Sequence, residues 1–240
     1  MPGPPANIAP TNRTASDSRT LVSDSRTLVS DSRGVVGEPG AADQAGCGDV
    51  THPPRPGRAP TGYECGMALA SVRAAAESDV DEIVRIQAET WRLAYADVLP
   101  EAALAVLTSE DARRTWADAV HAGEPYHVFV AREGEWTVGF CAAAHYEGQG
   151  GSIAEISALL VEPRWGRRGH GGRLLAVAGA ALRRAGSQTG RAWVPEADSA
   201  SRRFYDRAGW AADGAVRTLD TGEGTVREIR YSGSLDLTLD

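Results

Sequence analysis

Apolar and polar positions divide the chain in two. Up to residue 66 no apolar periodicity is sustained; from Met67 the pattern alternates between period two and a helical period. Residues 70–74 read as a short strand. Ser78, with Asp81 three residues on, is a helix-start signature, followed by an apolar stripe of Val80, Ile83, Val84, Ile86, Thr90, Trp91 and Ala94. Pro100 suits the first turn of a second helix carrying Leu104 and Leu107. A third helix is expected over 109–121, with Trp116 and Val120 inward. Residues 128–131 and 137–142 flank Glu133-Gly134-Glu135 as a hairpin. A central strand over 152–161 then runs to Pro163, which cannot donate to a ladder. Beyond a basic loop, Leu174, Leu175, Ala178, Ala181 and Leu182 recur at helical spacing. A fifth strand over 191–194 stops at Pro195. Asp198 or Ser199 caps a helix containing Ala200, Phe204 and Tyr205 that ends at Gly209. Two last strands are expected around 210–217 and 225–231. The whole is an α/β (α+β) pattern: a mixed, mostly antiparallel sheet of about seven strands with helices on both sides.

The loop between the central strand and its helix carries the chemistry. Gly166, Gly169 and Gly171 let a backbone approach a ligand closely, and the helix start adds about half a positive charge. Arg164, Arg167, Arg168 and Arg173 add full ones. A phosphate-bearing ligand fits this design. The chain contains no lysine; all 25 basic residues are arginine. That removes the nucleotide P-loop and lysine Schiff-base chemistry. The glycine order G-x-x-G-x-G is not the dinucleotide fingerprint G-x-G-x-x-G, and an acidic ribose ligand about 20 residues on is missing.

The segment from Val161 through Gly169-His170-Gly171 to Leu175 resembles the coenzyme A-binding stretch of the GNAT N-acetyltransferase superfamily. That family's pattern is [QR]-x-x-G-x-[GA]; here Gly166 occupies its first position, and Arg167 or Arg168 could substitute. Phe204-Tyr205, followed by Gly209-Trp210, resembles a second GNAT segment. Trp91-Arg92-Leu93-Ala94-Tyr95 with Leu99-Pro100 resembles a third, over the acceptor side. The resemblance implies the GNAT fold from residue 67 to 240 and acetyl-CoA as cosubstrate, with no metal. It implies that the amides of Leu159, Leu160 and Val161 meet the pantetheine and thioester. Arg167, Arg168, Gly169, His170, Gly171 and Gly172 would hold the pyrophosphate. Asp198 stands where the family often has Asn near the coenzyme. Tyr205 would protonate the departing thiolate, Glu155 would act as base through water, and Tyr95 would touch the acceptor. His145 competes for the base role, being titratable near neutrality. His170 replaces the usual Ile or Leu and reads as packing or phosphate-adjacent. The implied activity is acetyl transfer to a primary amine of a small molecule, protein or peptide, by direct attack on the thioester. A non-catalytic acyl-CoA-binding module is the alternative.

Composition sharpens this modestly. A net charge of −7 and a pI near 5.3 argue against nucleic acid. Cys47, Cys65 and Cys141 lie far apart and suggest neither zinc nor a disulfide framework; Cys141 reads as a small hydrophobe. Neither an apolar run of membrane length nor a secretory pattern is visible, so the expectation is a cytoplasmic protein. Related proteins are often dimers, which leaves a homodimer open. Residues 1–66 hold a tandem seven-residue repeat, Ser16–Val22 and its two successors. Their two apolar residues are adjacent rather than in coiled-coil positions, so a disordered tail is expected. Met67 is a possible natural start.

Overall fold

The computed structural model describes residues 70–95, 101–148, 151–220 and 225–237. The expected tail, Pro100 and the turn at 149–150 lie outside them. Seven strands, β1 (Ala70–Ala74), β2 (Tyr126–Glu133), β3 (Trp136–Gly148), β4 (Gly151–Val161), β5 (Thr189–Pro195), β6 (Ala211–Asp220) and β7 (Thr225–Ser234), form one sheet in the order β1-β2-β3-β4-β5-β7-β6. Every neighbouring pair is antiparallel except β4 and β5. The helices are α1 (Val80–Tyr95), α2 (Glu101–Val106), α3 (Glu110–His121), α4 (His170–Arg184) and α5 (Ser199–Arg207).

Both faces of the sheet are covered. On one, Val80, Ile83, Val84 and Ile86 of α1 and Trp116 of α3 pack on Val128, Val130, Phe140, Ala142 and Ala144. Trp116 meets Phe140 edge-on at 5.0 Å, and its indole N–H donates to Gln87 Oε1 at 2.8 Å. The deepest polar group on this face is therefore paired, as burial demands. Val120 is only half-buried and Ala94 is exposed at the end of the stripe. On the other face, Leu174, Leu175, Ala178, Ala181 and Leu182 of α4 and Tyr205 of α5 pack on Phe129, Cys141, Ile156, Ala192 and Val194.

The start of α1 differs from the expected signature. A 3-10 turn, Glu77–Asp79, precedes the helix, and Asp79 rather than Asp81 folds back to accept from the Ala76 amide at 2.8 Å. Asp79 also takes both Arg73 nitrogens, at 2.6 and 2.9 Å, fastening β1 to the helix. Burial pushes this carboxyl up, but Arg73 and the Ala76 amide together hold it below its ordinary value. Asp81 instead pairs with Arg113 of α3. At the start of α3 Ser109 accepts from Ala112, and Asp198 caps α5 as expected.

Two glycines make the slot for Trp210. A side chain at Gly233 would place its Cβ 2.5 Å from Trp210 Cγ and 2.9 Å from its Cα; one at Gly190 would meet the ring at 2.9 Å. Gly233→Ala is expected to lose about 1–3 kcal/mol, because Trp210 is 2% exposed and cannot retreat. Denaturant unfolding of the variant checks this. Among the described residues no helix is long and apolar enough to cross a membrane. Nor, among those same residues, do any three His, Cys, Asp or Glu side chains group to hold a metal.

Candidate active site

The site begins where β4 and β5 part. Only Glu155↔Arg191 and Ile156↔Ala192 are paired between these parallel strands. On its other side β4 stays paired to β3 as far as Val161↔Gly139. Beyond Ile156 the β5-facing edge of β4 is thus open, and alternate backbone groups along 157–161 point into the split. The cause is local. Ala142 pairs with Ala158 while Ala143 pairs with Ile156, leaving Ser157 as an extra residue, a β-bulge. Side-chain alternation slips there: Ala154 and Ile156 face α4, whereas Ala158 and Leu160 face α1. The Ser157 hydroxyl donates to Ala142 O at 3.2 Å, so the bulge is buried without an orphan hydroxyl.

At the mouth of the split lies the basic loop. After β4 a short 3-10 turn, Pro163–Trp165, redirects the chain. Arg167 takes a left-handed backbone, φ 61°, as does Gly169, φ 83°. For an arginine that conformation costs about 1–2 kcal/mol. Gly169 is the residue before α4 and offers no capping side chain. The first helical bond runs from Arg173 N to Gly169 O at 3.1 Å, so the amides of His170, Gly171 and Gly172 have no partner within the helix. Three uncapped amides on a helix start attract an anion. Among the described residues Arg167 has no hydrogen-bond or ion-pair partner, and Arg173 donates only to Arg168 O at 3.2 Å. Arg164, by contrast, pairs with Glu162.

Tyr205 follows the residue that touches this loop. A Cβ at Gly171 would meet the Phe204 ring at 3.1 Å, so α4 and α5 touch at the second residue of α4. Tyr205 is 5% exposed, its ring 5.2 Å from Phe204, 5.3 Å from Trp210 and 5.8 Å from Tyr231. Asp198 places α5: Oδ1 accepts from the Ala200 and Ser201 amides, and Oδ2 from the Ser201 hydroxyl at 2.6 Å. The two amide bonds cap the helix, and the third ties Asp198 to the Ser201 side chain.

Glu155 sits at the vertex of the split, on the last pair of rungs. Arg191 Nε donates to Glu155 Oε2 at 2.7 Å; Tyr146 OH donates to the same oxygen at 3.1 Å and accepts from Arg191 Nη2 at 2.9 Å. Burial, then the neighbouring Glu155 charge, pushes the Tyr146 phenol above its ordinary value. Burial alone would lower the Arg191 guanidinium, but Glu155 outweighs it and raises it. The sequence placed Arg191 on its strand and linked neither it nor Tyr146 to Glu155. Their adjacency needs the β3–β4–β5 register, which no local spacing encodes. His145 hydrogen-bonds Ser152 and, one residue from Tyr146 on β3, points to the opposite face. Cys141 is fully buried, and burial pushes its thiol far up, so it is no nucleophile. Tyr95 is the last residue of α1, and its side chain lies outside the described residues.

A family model described as the acetyltransferase (GNAT) domain matches residues 124–212. Residues 124–212 are thus similar to the GNAT acetyltransferase domain. The matched segment runs from β2 into β6 and contains the split, the basic loop and Tyr205. Solved structures share the fold over about 70% of the chain. The PaiA N-acetyltransferase of Thermoplasma acidophilum, in complex with coenzyme A, is 15% identical, covering 69% of this chain and 99% of its own, with a TM-score of 0.59. The ribosomal-protein-alanine N-acetyltransferase of Brucella melitensis is 17% identical, covering 68% and 99%, at 0.56. YncA of Salmonella typhimurium, a putative acetyltransferase solved with acetyl-CoA, is 19% identical, covering 71% and 96%, at 0.54. At these identities the likeness is one of fold. No curated protein matches the sequence.

Proposed function

We propose that this protein is a cytoplasmic, acetyl-CoA-dependent N-acetyltransferase that acetylates a primary amine of a small molecule, protein or peptide by direct attack on the thioester. The observation that carries the reading is the uncapped start of α4, with its glycines and arginines, at the mouth of the β4–β5 split. The amides of His170, Gly171 and Gly172 and the side chains of Arg167 and Arg168 would take the diphosphate. The open edge of β4 at Leu159, Leu160 and Val161 would receive the pantetheine, one amide donating to the thioester oxygen.

The amine nitrogen forms its bond to the acetyl carbon while the carbon–sulfur bond breaks. Glu155, fixed by Arg191 and Tyr146, accepts the ammonium proton through water. Tyr205 donates its proton to the leaving thiolate. Tyr95 stands on the acceptor side. Acetyl-CoA at a hundredfold excess over its Kd should stabilise the protein by ~2.7 kcal/mol, an upward Tm shift of about 5–10 °C. ATP and NAD should leave Tm unchanged, and an amine panel should release free thiol from acetyl-CoA. No shift with acetyl-CoA would remove the assignment.

A second reading, a non-catalytic acyl-CoA-binding module, is favoured by Gly166 at the first loop position and by Asp198 spending its bonds on the start of α5. It predicts the same thermal shift with no thiol release from any amine.

A further inference from the structure

Beside the coenzyme loop lies a surface of indoles and arginines that the catalytic scheme leaves unused. Trp136, the first residue of β3 after the hairpin turn, is 62% exposed. A lone exposed indole needs no explanation, but this one does not stand alone. The Arg164 guanidinium lies 6.0 Å from its ring centroid and 5.9 Å from that of Trp165. Arg168 lies over Trp165 at 4.7 Å. Indole and guanidinium thus alternate from the hairpin into the loop, at separations where each cation is attracted to a ring face. Glu162 holds Arg164 through Nε and Nη2 and is itself tied to Arg85, so this guanidinium is anchored while its side chain stays 60% exposed. Charge favours an anion here. The hairpin turn and the loop, residues 132–136 and 162–173, hold five arginines against three glutamates, on a chain of net charge −7.

The surroundings of the loop give a direction. Pantetheine would enter the split on the β5 side of β4, and the start of α4 would take the diphosphate. On the α5 side Phe204 already packs against Gly171. On the other side the loop meets the hairpin, with Arg168 3.6 Å from Glu133. The remaining end of coenzyme A is an adenosine with a 3′-phosphate: a planar base and an anion, which an indole face and a guanidinium accept. We propose that Trp136 and Arg164 form the subsite for this nucleotide end: the adenine stacks on the Trp136 indole and Arg164 takes the 3′-phosphate. The proposal rests on the coenzyme reading of the loop.

Coenzyme A, 3′-dephospho-coenzyme A and 4′-phosphopantetheine, the last at millimolar concentration, titrated calorimetrically into the full chain test this. Trp136→Ala should weaken binding of both coenzymes about tenfold, the scale of one base–aromatic stack, and leave the Kd for phosphopantetheine unchanged. Trp136→Phe, which keeps a stacking face, should recover most of the loss. Arg164→Gln should weaken coenzyme A about threefold to fivefold, as one exposed charge contact does, and leave the dephospho form unchanged. Equal Kd for coenzyme A in wild type and Trp136→Ala overturns the base subsite. So does an equal loss for phosphopantetheine, which would mean that the hairpin only shapes the diphosphate loop. An equal loss on both coenzymes in Arg164→Gln overturns the phosphate contact. A wild type that binds phosphopantetheine as tightly as coenzyme A overturns the whole subsite, whereas one that binds none of the three overturns the coenzyme reading itself.

Discussion

Tyr205→Phe should lower kcat for acetyl transfer about a hundredfold or more while barely changing the Kd for acetyl-CoA. The substitution removes one oxygen and keeps the ring that packs between Phe204, Trp210 and Tyr231. A thiolate leaving without a proton donor loses general-acid assistance, typically worth 10²–10⁴ in rate. A phenol, with a pKa of about 10 in water, stays protonated at neutral pH and can supply that proton. Thiol release followed at saturating amine measures kcat, and coenzyme titration measures Kd. A variant with unchanged kcat would return Tyr205 to packing alone. A variant with raised Kd and unchanged kcat would make it a coenzyme contact.

How far the sequence carried depended on whether the signal was local. The glycine loop, the α4 stripe and the α5 cap each lie within one stretch of chain, and the structure places them as read. The β-bulge at Ser157 was hidden because both faces of β4 are buried. In the run Ile156-Ser157-Ala158-Leu159-Leu160-Val161 there is no polar face whose slip could betray an extra residue. The start of α1 was misjudged because Asp79 and Asp81 both fit a capping pattern in one dimension. Only the return of Arg73 from β1 chooses between them. Glu155 was visible as a carboxylate in a strand, but its partners come from β3 and β5, 9 and 36 residues away in sequence.

Glu155→Gln is the sharper test of the chemistry, because its outcome should depend on pH. Glu155 is 13% exposed and Arg191 25%, so the pair is largely shielded from solvent. Neutralising one partner leaves Arg191 with Tyr146 alone, and some stability should be lost as well. The kinetic effect separates from that loss through the substrate. An alkylamine is almost wholly protonated at neutral pH, where a base must remove a proton before nitrogen can attack. Near the amine's own pKa much of it is already free. The deficit of Glu155→Gln should therefore be about a hundredfold at pH 7 and shrink steadily toward pH 9.5. A variant that merely distorts the split would be impaired equally across the range. Its Kd for coenzyme would rise as well, because β4 carries both Glu155 and the open edge at Leu159, Leu160 and Val161. Rates at saturating acetyl-CoA, compared with coenzyme Kd at each pH, distinguish proton removal from disorder of the strand.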